Sequence, residues 1–305
     1  MKLREFLNLS EFPSHVDFEV LEEVRLDKFC QQLIKYRSLE GDWIFAYMLI
    51  PASSGPHPAI IVHHQHNGER HFGKSEVIGL AGNPLQAFGP SLAGIGYVVL
   101  APDSICFEDR RSNKKGIEQD SEEADWLQHF NEMTYRLVNG DSLMRKVLDD
   151  AGVGVSLLTG LPFVVKNQIG VFGHSYGGNT ALFQGATDDR IQFVCASGAL
   201  CSYKHKIDAG TGLEMALVVP DIALHSDFDK ILSVIAPREV LIVSAEEDKY
   251  SKDAVSICEA VKEKFTRTDG SCKLSHFRDR GGHAMTKQRF QTITDWVRNI
   301  YADEK

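Results

Sequence analysis

No run of eighteen apolar residues occurs anywhere in this chain, so none of it reads as a membrane-crossing helix. Surplus positive charge is missing too. The formal net charge is −9 at pH 7, which gives no basic footprint for nucleic acid or anionic lipid, and neither is expected as a partner. The six cysteines (Cys30, Cys106, Cys195, Cys201, Cys258 and Cys272) form no C-x-x-C pair and follow no regular spacing. In a chain of 305 residues they read as reduced, mostly buried thiols and not as a disulfide framework. The opening MKLREFLNLSEFPSH lacks the apolar core of a signal peptide. A cytoplasmic address is the resulting expectation. Internal repeats and low-complexity linkers are also absent.

What is present is the composition of a soluble globular protein, 43% hydrophobic and 25% charged, with length enough for a large core. CQQLIKYRS and DWIFAYMLIP, separated by Leu39-Glu40-Gly41, read as two strands of a hairpin. PAIIVHH (58–64), GYVVLAP (96–102), IGVFGH (169–174), FVCASG (193–198), EVLIVSA (239–245) and CKLSHFR (272–278) are short, nearly continuous apolar runs. Such runs suit strands covered on both faces. Helical periodicity lies between them. After Asp141, a candidate N-cap, Met144, Val147, Leu148, Ala151, Val155 and Leu158 share a face, although Gly152 and Gly154 fall inside it. Residues 254–265 form a second pattern. Phe290, Ile293, Trp296, Val297 and Ile300 mark the last. Alternating strands and helices predict an α/β fold: one mostly parallel sheet, helices on both faces, and an N-terminal antiparallel hairpin at its edge. We therefore expect a single domain over 1–305, with 1–27 as an N-terminal extension. The segment 104–140 is highly charged yet carries Phe107, Trp126, Phe130, Met133 and Tyr135, which suits a partly helical cap or lid insertion.

Gly173-His-Ser-Tyr-Gly177 matches the G-x-S-x-G nucleophile elbow. A serine lifted from a sharp strand-to-helix turn needs neighbours without bulk two positions to either side. The turn also sets the serine at a helix N-terminus, whose free N–H groups can stabilise negative charge. The pentapeptide alone is only suggestive, but an apolar strand precedes it and TALFQGA, a candidate helix, follows. A nucleophile at Ser175 needs an acid and then a histidine, in that chain order. EVLIVSA ends in Glu246-Glu247-Asp248, any of which could be the acid. CKLSHFR is followed by Asp279-Arg-Gly-Gly-His283, where two glycines make a pliant loop that can return an imidazole to the sheet edge.

His63-His-Gln-His66-Asn-Gly68, with His71 beyond, invites a zinc reading. Adjacent strand residues point to opposite faces, so His63 and His64 cannot share one ion. We expect no metal. An oxyanion loop fits better, in which a backbone N–H at Gln65 or His66 joins that of Tyr176 around a carbonyl oxygen.

With these residues in hand, the chain resembles the α/β-hydrolase superfamily, and within it the dienelactone hydrolase-like and acetyl xylan esterase-like branch. The stretches that carry the resemblance are YMLIP, HHQHNG, APDSICFEDR, IGVFGHSYGGN, ATDDRI, IAPREVLIVSAEED and GGHAM, from about residue 40 to 297. It implies an eight-stranded sheet and a Ser175–Asp248–His283 triad, the acid falling at Asp248, about three residues past the small Ala245 that closes its strand. Two departures stand out. His64-Gln65 replaces the usual His-Gly after the oxyanion strand, and the nucleophile is serine where dienelactone hydrolases proper use cysteine. The expected activity is hydrolysis of a small-molecule carboxylic ester or lactone through an acyl-enzyme, with no cofactor. His64, Phe107 and Trp126 are candidate pocket walls. A peptidase or thioesterase with the same triad is the nearest alternative, and a non-catalytic binding protein of the same fold the alternative from another class.

Overall fold

Nine strands form one sheet in the computed structural model, which describes residues 2–302. They are β1 (Phe18–Arg25), β2 (Phe29–Arg37), β3 (Trp43–Pro51), β4 (His57–His63), β5 (Val98–Pro102), β6 (Val164–His174), β7 (Ile191–Ser197), β8 (Glu239–Ala245) and β9 (Leu274–Asp279). Their order across the sheet is β1-β2-β3-β5-β4-β6-β7-β8-β9. The pairs β1–β2, β2–β3 and β3–β5 are antiparallel. All pairs from β5 to β9 are parallel.

The sheet thus has nine strands where the resemblance implied eight. The added strand is β1, at the edge, whose sequence FEVLEEVR is exposed along almost its whole length. Without a buried face there is no selection for alternating apolar residues, so this strand left no period-two signal. The inner strands show the opposite. In β4, Ala59 and Ile61 enter one apolar cluster while Ile60 and Val62 enter the other. Both faces are covered, which is why the run is continuously apolar. Helices Leu143–Gly160, Tyr176–Thr187, Phe228–Ile235 and Ala254–Phe265 pack into the first cluster, and Phe88–Gly94 and Lys287–Asn299 into the second. Among the described residues no helix is long and apolar enough to cross a membrane.

The helix Leu143–Gly160 starts one residue later than its sequence suggests. Its cap is Ser142, whose hydroxyl accepts the Arg145 N–H at 3.1 Å. Asp141 lies between the guanidinium groups of Arg136 and Arg145, and those ion pairs take its carboxylate away from the cap. Neither internal glycine interrupts the helix. A Cβ at Gly152 would lie 2.1 Å from the Phe12 ring, so the missing side chain seats an aromatic residue from the N-terminal segment.

The charged segment 104–140 turns many of its charges inward. It holds a short 3-10 turn, Glu108–Arg110, and a 17-residue helix, Glu122–Val138, capped by Ser121. Arg111 is 0% exposed and pairs with buried Asp125 at 2.7 Å. Arg110 joins Asp42 and Asp150. Lys74, from the loop region after β4, bonds Asp103, Glu108 and Asp109 at 2.9, 2.5 and 2.6 Å. This buried cluster ties the segment that follows β4 to the segment that follows β5. Replacing Lys74 with Met leaves Asp103 and Glu108 buried without a cation, and should cost about 3–5 kcal/mol of stability in urea unfolding. A loss below about 1 kcal/mol would show that the cluster does not hold these segments.

Candidate active site

The chain passes from β4 to β5 on one side and then crosses back from β5 to β6 on the other side of β4, so the sheet reverses its winding order at β4. In open α/β sheets the crevice beyond the strand ends at such a point is where ligands bind. Here the residues that follow β4, β6, β8 and β9 converge on it.

Ser175 sits between β6 and the helix Tyr176–Thr187 with φ 57° and ψ −116°. A non-glycine residue in this region carries strain of about 1–3 kcal/mol and persists only where its surroundings enforce it. They do so through close backbone contact. A Cβ at Gly177 would lie 2.2 Å from the His63 carbonyl oxygen, and one at Gly173 would lie 2.1 Å from the Gly177 carbonyl carbon. The Ser175 N–H donates to the Ser197 carbonyl at 2.8 Å, which ties the turn to the end of β7. The two outer glycines of G-x-S-x-G are therefore points of contact between main chains.

From this turn the Ser175 Oγ lies 2.7 Å from His283 Nε2, and His283 Nδ1 lies 3.0 Å from Asp248 Oδ1. Asp248 also accepts the Tyr250 N–H at 2.9 Å and the Ser251 hydroxyl at 2.7 Å. Burial alone would raise its carboxyl pKa. The hydrogen bond and charge of His283, with the Ser251 and Tyr250 donors, outweigh burial and hold it below the usual carboxylate range. Glu246 and Glu247, the other acids at this strand end, are exposed, and only Asp248 reaches the imidazole.

The loop that carries His283 is less pliant than its two glycines suggest. Arg289, 2% exposed, donates to the carbonyls of Gly282, Ala284 and Arg280 at 2.9, 2.7 and 3.0 Å and pairs with Asp279. It grips the main chain on both sides of the imidazole. No local motif announces that role, since an arginine on the buried face of a helix reads as an ordinary snorkelling side chain. His174 stacks on His283 with ring centroids 5.0 Å apart, and its Nδ1 lies 3.0 Å from the Ser197 hydroxyl. Burial pulls His174 down to about 3, so this neighbour is a neutral ring.

The histidines after β4 part company as the strand geometry requires. His63 Nε2 lies 2.7 Å from the Gln184 side-chain oxygen, and His64 Nε2 accepts the Ser104 N–H at 3.1 Å. Burial pulls both down to about 4. A cavity of about 880 Å³ opens over Ser175 and His283, and its walls include His66, Arg70, Trp126, Tyr176, Lys206 and Glu214. Trp126 is therefore brought to the cavity, 45% exposed. His64 and Phe107 stand behind the wall: Phe107 is 0% exposed and stacks on the Tyr176 ring at 5.4 Å. Gln65 is also turned away, bonded through its side chain to Glu76 and Gln86. Arg70, Lys206 and Glu214 carry no sequence signal, because they come from segments without motif or period.

The contact between the turn and the end of β4 can be tested by stability. Gly177→Ala should force a shift of the His63 main chain and cost about 1–3 kcal/mol in urea unfolding, whereas Ala at Gly212, with open space around it, should cost little. Equal costs at the two positions would refute the contact.

Residues 4–215 match the acetyl xylan esterase (AXE1) family model. The hydrolase YtaP of Bacillus subtilis (strain 168) is 31% identical over 213 residues, which is 68% of this chain and 66% of that one, just under two thirds of its length. Acetyl xylan esterase 1 from Thermoanaerobacterium sp. JW/SL YS485 superposes with a TM-score of 0.62 at 16% identity, covering 98% of this chain and 91% of that one. A glucuronoyl esterase from Solibacter usitatus gives 0.63 at 13% identity, covering 97% and 89%. At such identities these structures show the shared fold. The family match stops short of Asp248 and His283, so those two positions rest on the geometry described above. By fold and by the matched sequence, the chain belongs to the acetyl xylan esterase family of α/β-hydrolases.

Proposed function

We propose that this protein hydrolyses a carboxylic ester of a small molecule or carbohydrate, or a lactone, through an acyl-enzyme on Ser175. The observation that carries the reading is the unbroken hydrogen-bonded sequence Ser175–His283–Asp248 opening onto a large cavity. Family membership supports the same class of chemistry. His283 Nε2 takes the Ser175 proton as Oγ attacks the ester carbonyl. Asp248 fixes the tautomer that leaves Nε2 free to accept, and stabilises the imidazolium that forms. The first N–H groups of a helix have no intrahelical partner, so the Tyr176 N–H is available to the developing oxyanion. A second donor comes from the loop after β4; of Gln65 and His66, only His66 lines the cavity. His283 then protonates the leaving alkoxide, and water repeats the sequence on the acyl-enzyme. Trp126 forms part of the substrate wall. A cytoplasmic setting is part of this reading, and the six free cysteines support it.

A fluorophosphonate probe should label Ser175, and the label should disappear in Ser175→Ala. Failure of the folded wild type to react would sink the reading. Asp248→Asn should lower kcat for p-nitrophenyl acetate about 10⁴-fold by imposing the wrong tautomer on His283. If Glu247→Gln had that effect and Asp248→Asn did not, the acid would be misassigned.

A further inference from the structure

The cavity that holds Ser175 carries a second polar set. A nitrogen of His66, a nitrogen of His129 and a carboxylate oxygen of Glu214 lie within 4.8 Å of one another. Two imidazoles and a carboxylate first suggest a metal ion. Their hydrogen bonds argue otherwise. A neutral imidazole has one lone pair, and both lone pairs here are in use: His66 Nδ1 accepts the Gly68 N–H at 3.1 Å, and His129 Nδ1 accepts the Arg70 Nε–H at 3.1 Å. Neither a backbone amide nor an arginine gives up that proton, so each ring carries its own hydrogen on Nε2. Metal-ligating histidines show the reverse arrangement, with the second nitrogen donating to an oxygen. Burial pulls His66 down to about 3 and His129 well below its ordinary value, so both rings are neutral donors.

Glu214 is fixed in a matching way. Its Oε2 accepts the Ala216 N–H at 2.8 Å, capping the turn Met215–Leu217. Its Oε1 is buried without a hydrogen-bond partner, and so is Nε2 of the fully buried His129. Buried polar atoms are rarely left unmatched, and each such case calls for a reason. The sequence of groups from Arg70 to His129 stops one group short of Glu214.

We propose that this corner recognises a hydroxyl group on the ester, which donates to Glu214 Oε1 and accepts from the Nε2–H groups of His129 and His66. The proposal rests on the ester-hydrolase reading above. A hydroxyl supplies one donor and two acceptor lone pairs, the complement of one carboxylate oxygen and two N–H groups. Burial pushes the Glu214 carboxyl up to about 7, so above that pH Oε1 belongs to an ionised acceptor. There a substrate carboxylate would meet its charge, an ammonium would meet two N–H groups, and an alkyl group would leave all three polar atoms unpaired. Sites built around buried polar groups reject an analogue that lacks the matching hydroxyl far more strongly than apolar pockets reject an extra methylene. The Trp126 ring, stacked on Phe130 and lining the same cavity, adds a flat apolar wall. His66, His129 and Glu214 are on this proposal the specificity-determining groups of the cavity.

The test compares kcat/KM at a pH of about 8.5, where Glu214 is ionised, for 1-O-acetylglycerol and n-propyl acetate, which share the acetyl group and the three-carbon chain. The wild type should favour the glycerol ester at least ten-fold. Glu214→Gln, which keeps an oxygen for the Ala216 N–H and turns an amide N–H₂ toward the two imidazole donors, should bring the ratio close to one. A wild-type ratio near one overturns the proposal without recourse to any variant. So does a ratio unchanged in Glu214→Gln whose thermal unfolding shows it folded, or stoichiometric zinc binding that this substitution abolishes. In each of these cases the ester-hydrolase reading stands. If the wild type cleaves neither ester and does not react with the fluorophosphonate, that reading falls and this proposal falls with it.

Discussion

The contact on which the rest of this structure depends is made between two stretches of main chain. The Gly177 Cα faces the His63 carbonyl at a separation that leaves no room for one carbon atom more. To hold it, β4 and β6 must be parallel neighbours in the register that sets His63 beside Gly173. The turn that results is strained at Ser175, and the strain is balanced by a sheet strand on one side and a twelve-residue helix on the other. Rigid elements thus fix the serine, while the loops after β8 and β9 bring the remaining groups to it. The switch in winding order at β4 supplies the crevice, and the glycines let the main chains close to this distance.

This contact also explains which parts were legible in the sequence. Parallel strands buried on both faces spell continuous apolar runs, and G-x-S-x-G spells the steric demand of the turn. Asp248 and His283 were legible because each closely follows such a strand. β1 was not, since an edge strand with both faces in water has no reason to alternate. The segment 104–140 was legible in part. Its aromatics and charges pointed to a partly helical insertion, but nothing in its own sequence shows that Arg110 is buried against Asp42 and Asp150, or Arg111 against Asp125. Glu214, His129 and Arg70 meet only through the tertiary fold, and no window of sequence contains all three. Periodicity reports the environment of one element and is silent about pairs that the fold alone brings together.

A second theme is the state of the imidazoles that surround Ser175. Burial holds His63, His64, His66 and His174 far below the ordinary imidazole range. Four neutral rings surround the turn, and on the proposed mechanism proton transfer is left to His283. Elsewhere charge is held in matched clusters such as Lys74 with its three carboxylates, where a desolvated cation is compensated on several sides.

Arg289 has one consequence that concerns length and not chemistry. Because one side chain from the final helix spans the carbonyls of Arg280, Gly282 and Ala284, the distance along the chain from Asp279 to that helix is measured out by a guanidinium. An inserted or deleted residue there would displace at least one carbonyl from the fork and carry the imidazole with it. The exposed stretch around Gly210 and Gly212, with nothing packed against either glycine, has no such gauge. Relatives that diverge by insertion and deletion should vary freely there, and keep the count of residues between the last strand and the last helix constant even where the side chains change.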